Sequence, residues 1–192
     1  MAATFSFCED NGAQTGSPAH GTTRTGFSGT PFATDVNWKN IDDCTNNSGT
    51  VFTSAPITAG NNSFLKFSYA SFTGTFTEIL NGLWSANTTG SIGSNLTLYG
   101  IITSTYITPV TTSILTVDSS AYAAATNFSS SVAIGSGLSF DFSTTGPQAA
   151  SPTATLSSAG YSQYTLTQLQ TAVGAAAGNT TTITLEYQYN EN

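Results

Sequence analysis

Turn signals set the rhythm of this chain. From Thr50 onward, short runs with a period of two are separated by Gly, Asn or Pro at intervals of about 8–12 residues, the spacing of antiparallel strands in a sandwich or barrel. The clearest run is "TITLEYQYNEN". In it Ile183, Leu185, Tyr187 and Tyr189 alternate with Thr182, Thr184, Glu186 and Gln188, which predicts a half-buried strand. Earlier runs are "TVFTSAPIT", "SFLKFSYASF", "TFTEIL", "NGLWSA", "NLTLYGIITSTYI" and "YSQYTLTQL". The dipeptide Asn81-Gly82 favours a tight hairpin turn. "SSVAIG" and "GLSFDFS" predict a second hairpin through Gly135-Ser136-Gly137. Two Ala-rich pieces, "SSAYAAATNF" and "LTQLQTAVGAAAG", could turn helical, but Gly174 and Gly178 break any long helix in the second. The expected fold is all-β, an antiparallel β-sandwich of jelly-roll or immunoglobulin-like type over residues 51–192.

Residues 1–50 read differently. They are dense in Gly, Pro and Asn, and little in them is periodic beyond "TFSF" at residues 4–7. They predict a loop-rich N-terminal segment with one or two short strands. Its aromatics, Phe5, Phe7, Phe27, Phe32 and Trp38, are either anchored on the main domain or docked on a partner, and they are the candidate partner-contact residues.

Only 7% of the residues are charged, where an ordinary soluble domain carries about 25%. Ser, Thr, Asn and Gly fill the gap, and β-branched Thr fits a pleated surface. The net charge is −7, with Arg24, Lys39 and Lys66 the complete basic set. Nucleic-acid binding needs a basic footprint that releases phosphate counterions, so it is not expected. Nor is an anionic membrane surface, and no apolar run approaches the ~18 residues of a membrane span. "MAATFSFCED" has no basic start and no apolar stretch of the secretory kind, so synthesis in the cytoplasm is expected. The Asn-x-Ser/Thr matches at Asn46, Asn61, Asn87, Asn95, Asn127 and Asn179 then read as products of composition. Cys8 and Cys44 are too few for a disulfide scaffold; they are two small semi-apolar residues or one staple.

The residues do not assemble a catalytic constellation, and no enzyme is expected. His20 is the one histidine, in a "SPAHGT" loop without a nucleophile-elbow motif. One His and two distant Cys make a poor zinc set. The acidic pairs Glu9-Asp10 and Asp42-Asp43, near Asn11, Asn46 and Asn47, offer hard oxygens of the kind Ca²⁺ takes, but "DDCTNNSG" lacks the alternating ligands and distal Glu of a calcium loop. Solvated loop acids or turn-forming Asx residues are the expectation there, with no metal or cofactor. Trp38 and Trp84 are candidates for a carbohydrate platform, against the commoner fate of Trp in a core or interface. Thr153/Thr155 and Thr165/Thr167 are too short and irregular for an ice-binding face.

"ITAGNNSFLKFSYASFTGTFTEILNGLWSA" resembles a stretch found in uncharacterised virion proteins of tailed phages. There an "N-S-(F/Y)-x-K" strand leads to "F-x-G-x-F-T-x-I" and then to an apolar segment with Trp. The matching residues are Asn62, Ser63, Phe64, Lys66, Phe72, Gly74, Phe76, Thr77, Ile79 and Trp84. "YGIITSTYITPVTTS" and the closing "SSAGYSQYTLTQLQTAVGAAAGNTTTITLEYQYNEN" look like further units of that family, so the resemblance covers roughly residues 55–192. It implies a β-sandwich structural protein of the virion of a tailed bacteriophage, without an active site. A compact, non-basic chain expected in the cytoplasm fits a capsid decoration (cement) protein, bound to the major capsid protein on the assembled head. Such a protein is expected to be a homo-oligomer, with a trimer at threefold positions as one form. A neck, tail or fibre-associated protein that contacts the host surface, including a glycan, is the alternative.

Overall fold

The computed structural model describes residues 2–12, 23–28, 38–42, 51–88, 92–112, 115, 126–127, 137–177 and 183–192. Among these residues there are twelve strands and one helical turn. The elements are β1 (Ala3–Asn11), β2 (Thr23–Ser28), α1 (Val51–Ser54), β3 (Lys66–Gly74), β4 (Ile79–Thr88), β5 (Leu96–Thr103) and β6 (Thr126–Asn127), then β7 (Leu138–Phe140), β8 (Phe142–Ser143), β9 (Thr155–Leu156), β10 (Gly160–Ser162), β11 (Tyr164–Thr171) and β12 (Ile183–Glu191).

All pairings between the strands are antiparallel. The larger sheet runs β2-β1-β3-β11-β5-β6, with β10 bridging β3 and β8, and the smaller runs β12-β4-β7, with β9 beside β4. The two sheets pack face to face, so the fold is an all-β antiparallel sandwich as the turn spacing predicts. Segment Leu138–Ser143 changes sheets. Phe140 pairs with Gly82 in the smaller sheet, and Phe142 lies in β8 against β10 in the larger. Asp141 sits at the crossing, where its N–H donates to Gln163 Oε1 at 2.9 Å and its carbonyl accepts from Gln163 N–H at 2.9 Å.

The period of two explains the core. On β3, Ala70 and Phe72 face the smaller sheet, where they join Phe7, Leu98 and Leu169 against Trp84, Ala86, Leu185 and Tyr187. Phe67 and Tyr69 point the other way, into a second buried layer with Cys8, Ile101, Tyr106, Leu115, Tyr164 and Leu166. The non-strand chain around Tyr106–Val110 covers that outer face. The larger sheet is therefore buried on both sides, which is why Lys66 to Ala70 and Tyr164 to Leu169 are buried at every position.

Several local expectations change. In "TVFTSAPIT", Val51–Ser54 form the helical turn α1, and residues 51–58 contain no strand. Asn81-Gly82 does not close a hairpin but lies within β4. Leu80 pairs with Asn190 and Leu83 with Gln188, so two residues oppose one and the ladder bulges there. Asn81 takes the positive φ (57°) that the dipeptide favours, and β12 passing alongside makes the site a bulge instead of a turn. Gly82 is required by its neighbour, since a Cβ there would fall 2.4 Å from the Phe140 ring. The proposed turn at residues 135–136 lies outside the described residues, as does most of "SSAYAAATNF", of which Thr126 and Asn127 form β6. In "LTQLQTAVGAAAG" the first six residues belong to β11.

Candidate functional site

The N-terminal residues are the unexpected part of the molecule. Ala3–Asn11 runs inside the larger sheet, in register with β3 from Ala3↔Gly74 to Asp10↔Phe67 and with β2 on its other side. Alternation then sends Phe5, Phe7 and Glu9 to the inter-sheet face and Cys8 and Asp10 to the outer face. Glu9 and Asp10, read from the sequence as solvated loop acids, are 3% and 1% exposed. Their neighbours on β3 and β11 are distant in sequence, so nothing local announces the burial.

Each acid meets its own set of partners. Lys66 Nζ donates to Glu9 Oε1 at 2.8 Å, with both side chains buried. Burial pushes the Glu9 carboxyl above its ordinary range, against the opposing pull of Lys66 and of Lys39 nearby; the Asp42 charge adds to the upward push. On the outer face, Tyr164 Oη donates to Asp10 Oδ2 at 2.6 Å and Tyr69 Oη to Asp10 Oδ1 at 3.4 Å. Tyr164 is pushed far above the usual tyrosine range by burial and by the adjacent Asp10 charge, so it stays a proton donor. Just beyond β1, the Gly12 N–H donates to Asp42 Oδ2 at 2.9 Å, and the Gly12 carbonyl accepts from Tyr106 Oη at 2.7 Å. Asn11 Nδ2 donates to the Asp42 carbonyl at 3.3 Å. Lys39 is buried in the same region, and its carbonyl accepts from Phe64 N–H at 3.1 Å.

A chemically distinct band crosses the sheet next to Glu9. Glu9, Ser68 and Thr165 are cross-strand neighbours on β1, β3 and β11, and Lys66 pairs with Thr167. Thr165 Oγ1 donates to the Ser68 carbonyl at 3.0 Å and shares a short hydrogen bond with Tyr187 Oη of the opposite sheet. Trp38 Nε1 donates to Thr167 Oγ1 at 3.0 Å. Polar groups thus clip β1, β3, β11 and β12 together at one end of the sandwich, where the aromatic core gives way.

The candidate partner-contact residues separate on this map. Phe7 is buried in the core, Phe5 packs against Phe72, Tyr187 and Tyr189, and Trp38 is half-buried against the core. For Phe27 only the backbone is described, opposite Phe7; Phe32 lies outside the described residues, as do His20, Asp43, Cys44, Asn46 and Asn47. Cys8 is buried on the outer face of the larger sheet. Trp84 is fully buried, and with Trp38 hydrogen-bonded inward neither makes an open carbohydrate platform. Thr165 and Thr167 are buried, so they form no ice-binding face. Among the described residues no three His, Cys, Asp or Glu side chains gather into a metal-binding group, and no helix is long and apolar enough to cross a membrane. Sequence reasoning missed Lys66, Lys39, Tyr69, Tyr106 and Tyr164. The available signal was Lys66 itself, a lone cation at a core-facing position of "FLKFSYASF". Compared with family models, curated proteins and solved structures, the chain matches none of them.

Proposed function

We propose that this protein is a structural component of a tailed-phage virion, most specifically a capsid decoration protein that binds and stabilises the assembled head. The observation that carries this reading is where the charges lie. Lys39 and Lys66, two of the three basic residues of the chain, are each 1% exposed. Of the charged side chains whose burial is described, those at least partly exposed are all acidic: Asp42, Glu78, Asp141, Glu186 and Glu191. Such a surface repels packaged nucleic acid and suits the outside of a shell. A sandwich whose larger sheet is buried on both faces is a stiff body, suited to bridging subunits whose spacing the shell dictates. A protein of this kind acts by mass action: it binds the assembled lattice in preference to free subunits and raises the lattice's stability accordingly.

The test is binding of the purified protein to heads that lack it, followed by sedimentation and by heat challenge of the loaded and bare heads. Co-sedimentation with assembled shells, a copy number that scales with the capsid subunits, and a raised disruption temperature are expected. Binding only at a single ring's worth of copies would place the protein at the neck or tail, and absence of binding to any virion part would end the reading.

A further inference from the structure

We propose that Lys66 and Glu9 are the site of an intramolecular amide cross-link, formed by condensation of the Lys66 ε-amine with the Glu9 side-chain carboxyl inside the folded domain. Among the described residues, Lys66 and Glu9 bring opposite charges together in the sheet interior, with Nζ 2.8 Å from Oε1. A buried ion pair is a poor source of stability, because desolvation of both ions offsets their attraction. The same burial favours the protonated carboxylic acid of Glu9, the form that an amine attacks in amide formation.

The geometry supplies the rest. Glu9 lies on β1 opposite Ser68, and Lys66 precedes Ser68 by two residues on the same face of β3. The two strands are fixed by a continuous antiparallel register, so the amine and the carboxyl are held together without translational freedom. Well-oriented intramolecular pairs of this kind reach effective concentrations of about 10⁵–10⁸ M. The two side chains are only 2% and 4% exposed, which limits hydrolysis of the product.

The step balances without any co-reactant. The Lys66 ammonium passes one proton to the Glu9 carboxylate. The Nζ lone pair then attacks Cδ, forming the C–N bond. The C–O bond to the hydroxyl breaks as a proton moves from Nζ to the departing oxygen, and one water leaves. The Lys39 cation acts electrostatically on Glu9 and stabilises the oxyanion of the tetrahedral intermediate, while the Asp42 carboxylate acts on the same group in the opposite sense, favouring the protonated acid. The product ties β1 to β3 covalently, so β1 stays attached when the domain is strained or unfolded.

The readout is the mass of the purified full chain, measured denatured, followed by trypsin mapping. A chain lighter than its sequence by one water is expected. Trypsin should fail to cut after Lys66, and the peptide containing Glu9 should be recovered joined to the one containing Lys66. Lys66→Met should restore the full mass, and because the measurement is made on denatured chain it holds even if that variant folds poorly. Full sequence mass with normal cleavage after Lys66 overturns the proposal. So does a water loss that maps to any other pair, including Lys39 with Glu9.

Discussion

Tyr164 on β11 and Asp10 on β1 are joined by a 2.6 Å hydrogen bond although β3 lies between their strands. Both side chains rise from the outer face of the larger sheet and meet above Phe67, which Asp10 opposes directly in the ladder. The contact therefore fixes three strands at once. Tyr164→Phe keeps the ring packed against Phe67 and Tyr69 and removes only the donor. Of the two tyrosine contacts to Asp10 it removes the shorter, and the 3.4 Å contact from Tyr69 remains. A loss of about 1.5–3 kcal/mol is expected, the range for a hydrogen bond to a charged group. A lower urea midpoint at unchanged m-value would show it; Tyr69→Phe should cost less.

Alkaline pH acts on Tyr164 and on Tyr187 of the opposite sheet. Burial raises Tyr164 and Tyr187 well above their unfolded value near 10. A raised folded pKa contributes stability that is whole below the unfolded pKa and is lost as pH climbs towards the folded one. The domain should hold its stability up to about pH 10 and then lose about 1.4 kcal/mol per pH unit for each such tyrosine. Thermal melts from pH 8 to pH 11 test this. Tyr187→Phe should flatten the alkaline slope by one proton while lowering stability at neutral pH, because its bond to Thr165 is lost.

Gly82→Ala places a methyl group where none fits. The new Cβ would lie 2.4 Å from Phe140 Cε2 and 2.7 Å from the Phe140 carbonyl oxygen. The ring can move, but the carbonyl belongs to the β4–β7 ladder. About 1–3 kcal/mol of destabilisation is expected. Adding Phe140→Leu should relieve only the ring's share, so a double-mutant cycle should show partial rescue.

Much of the sandwich was legible because its signals are local. "SFLKFSYASF" and "TITLEYQYNEN" each became a long strand, and in the second Ile183, Leu185 and Tyr187 face the core as their alternation predicts. Two other features depended on partners far along the chain. Asn81-Gly82 carries the right backbone preference, yet whether it turns or bulges is decided by β12, about a hundred residues later in sequence. Glu9-Asp10-Asn11-Gly12 looks like a polar loop until β3 and β11 supply Lys66, Tyr69 and Tyr164 as partners. A buried charge is locally indistinguishable from a solvated one, and only the assembled neighbours separate them.

Strand β1 gives the sharpest contrast with a detachable arm. Its removal would strip Phe7 from the core and take Glu9 and Asp10 away from Lys66 and Tyr164, leaving a buried ammonium uncompensated. Deleting residues 1–11 should therefore yield an aggregated or unfolded chain, not a folded sandwich lacking an appendage. Far-UV circular dichroism and size exclusion would distinguish these outcomes. Phe7→Ala is the gentler test. Removing a buried Phe costs about 3–5 kcal/mol, and Phe7 packs edge-on against Tyr187 of the opposite sheet at a centroid distance of 5.9 Å. A correspondingly large drop in the unfolding midpoint is expected, where a residue reserved for a partner would leave the isolated domain almost unchanged.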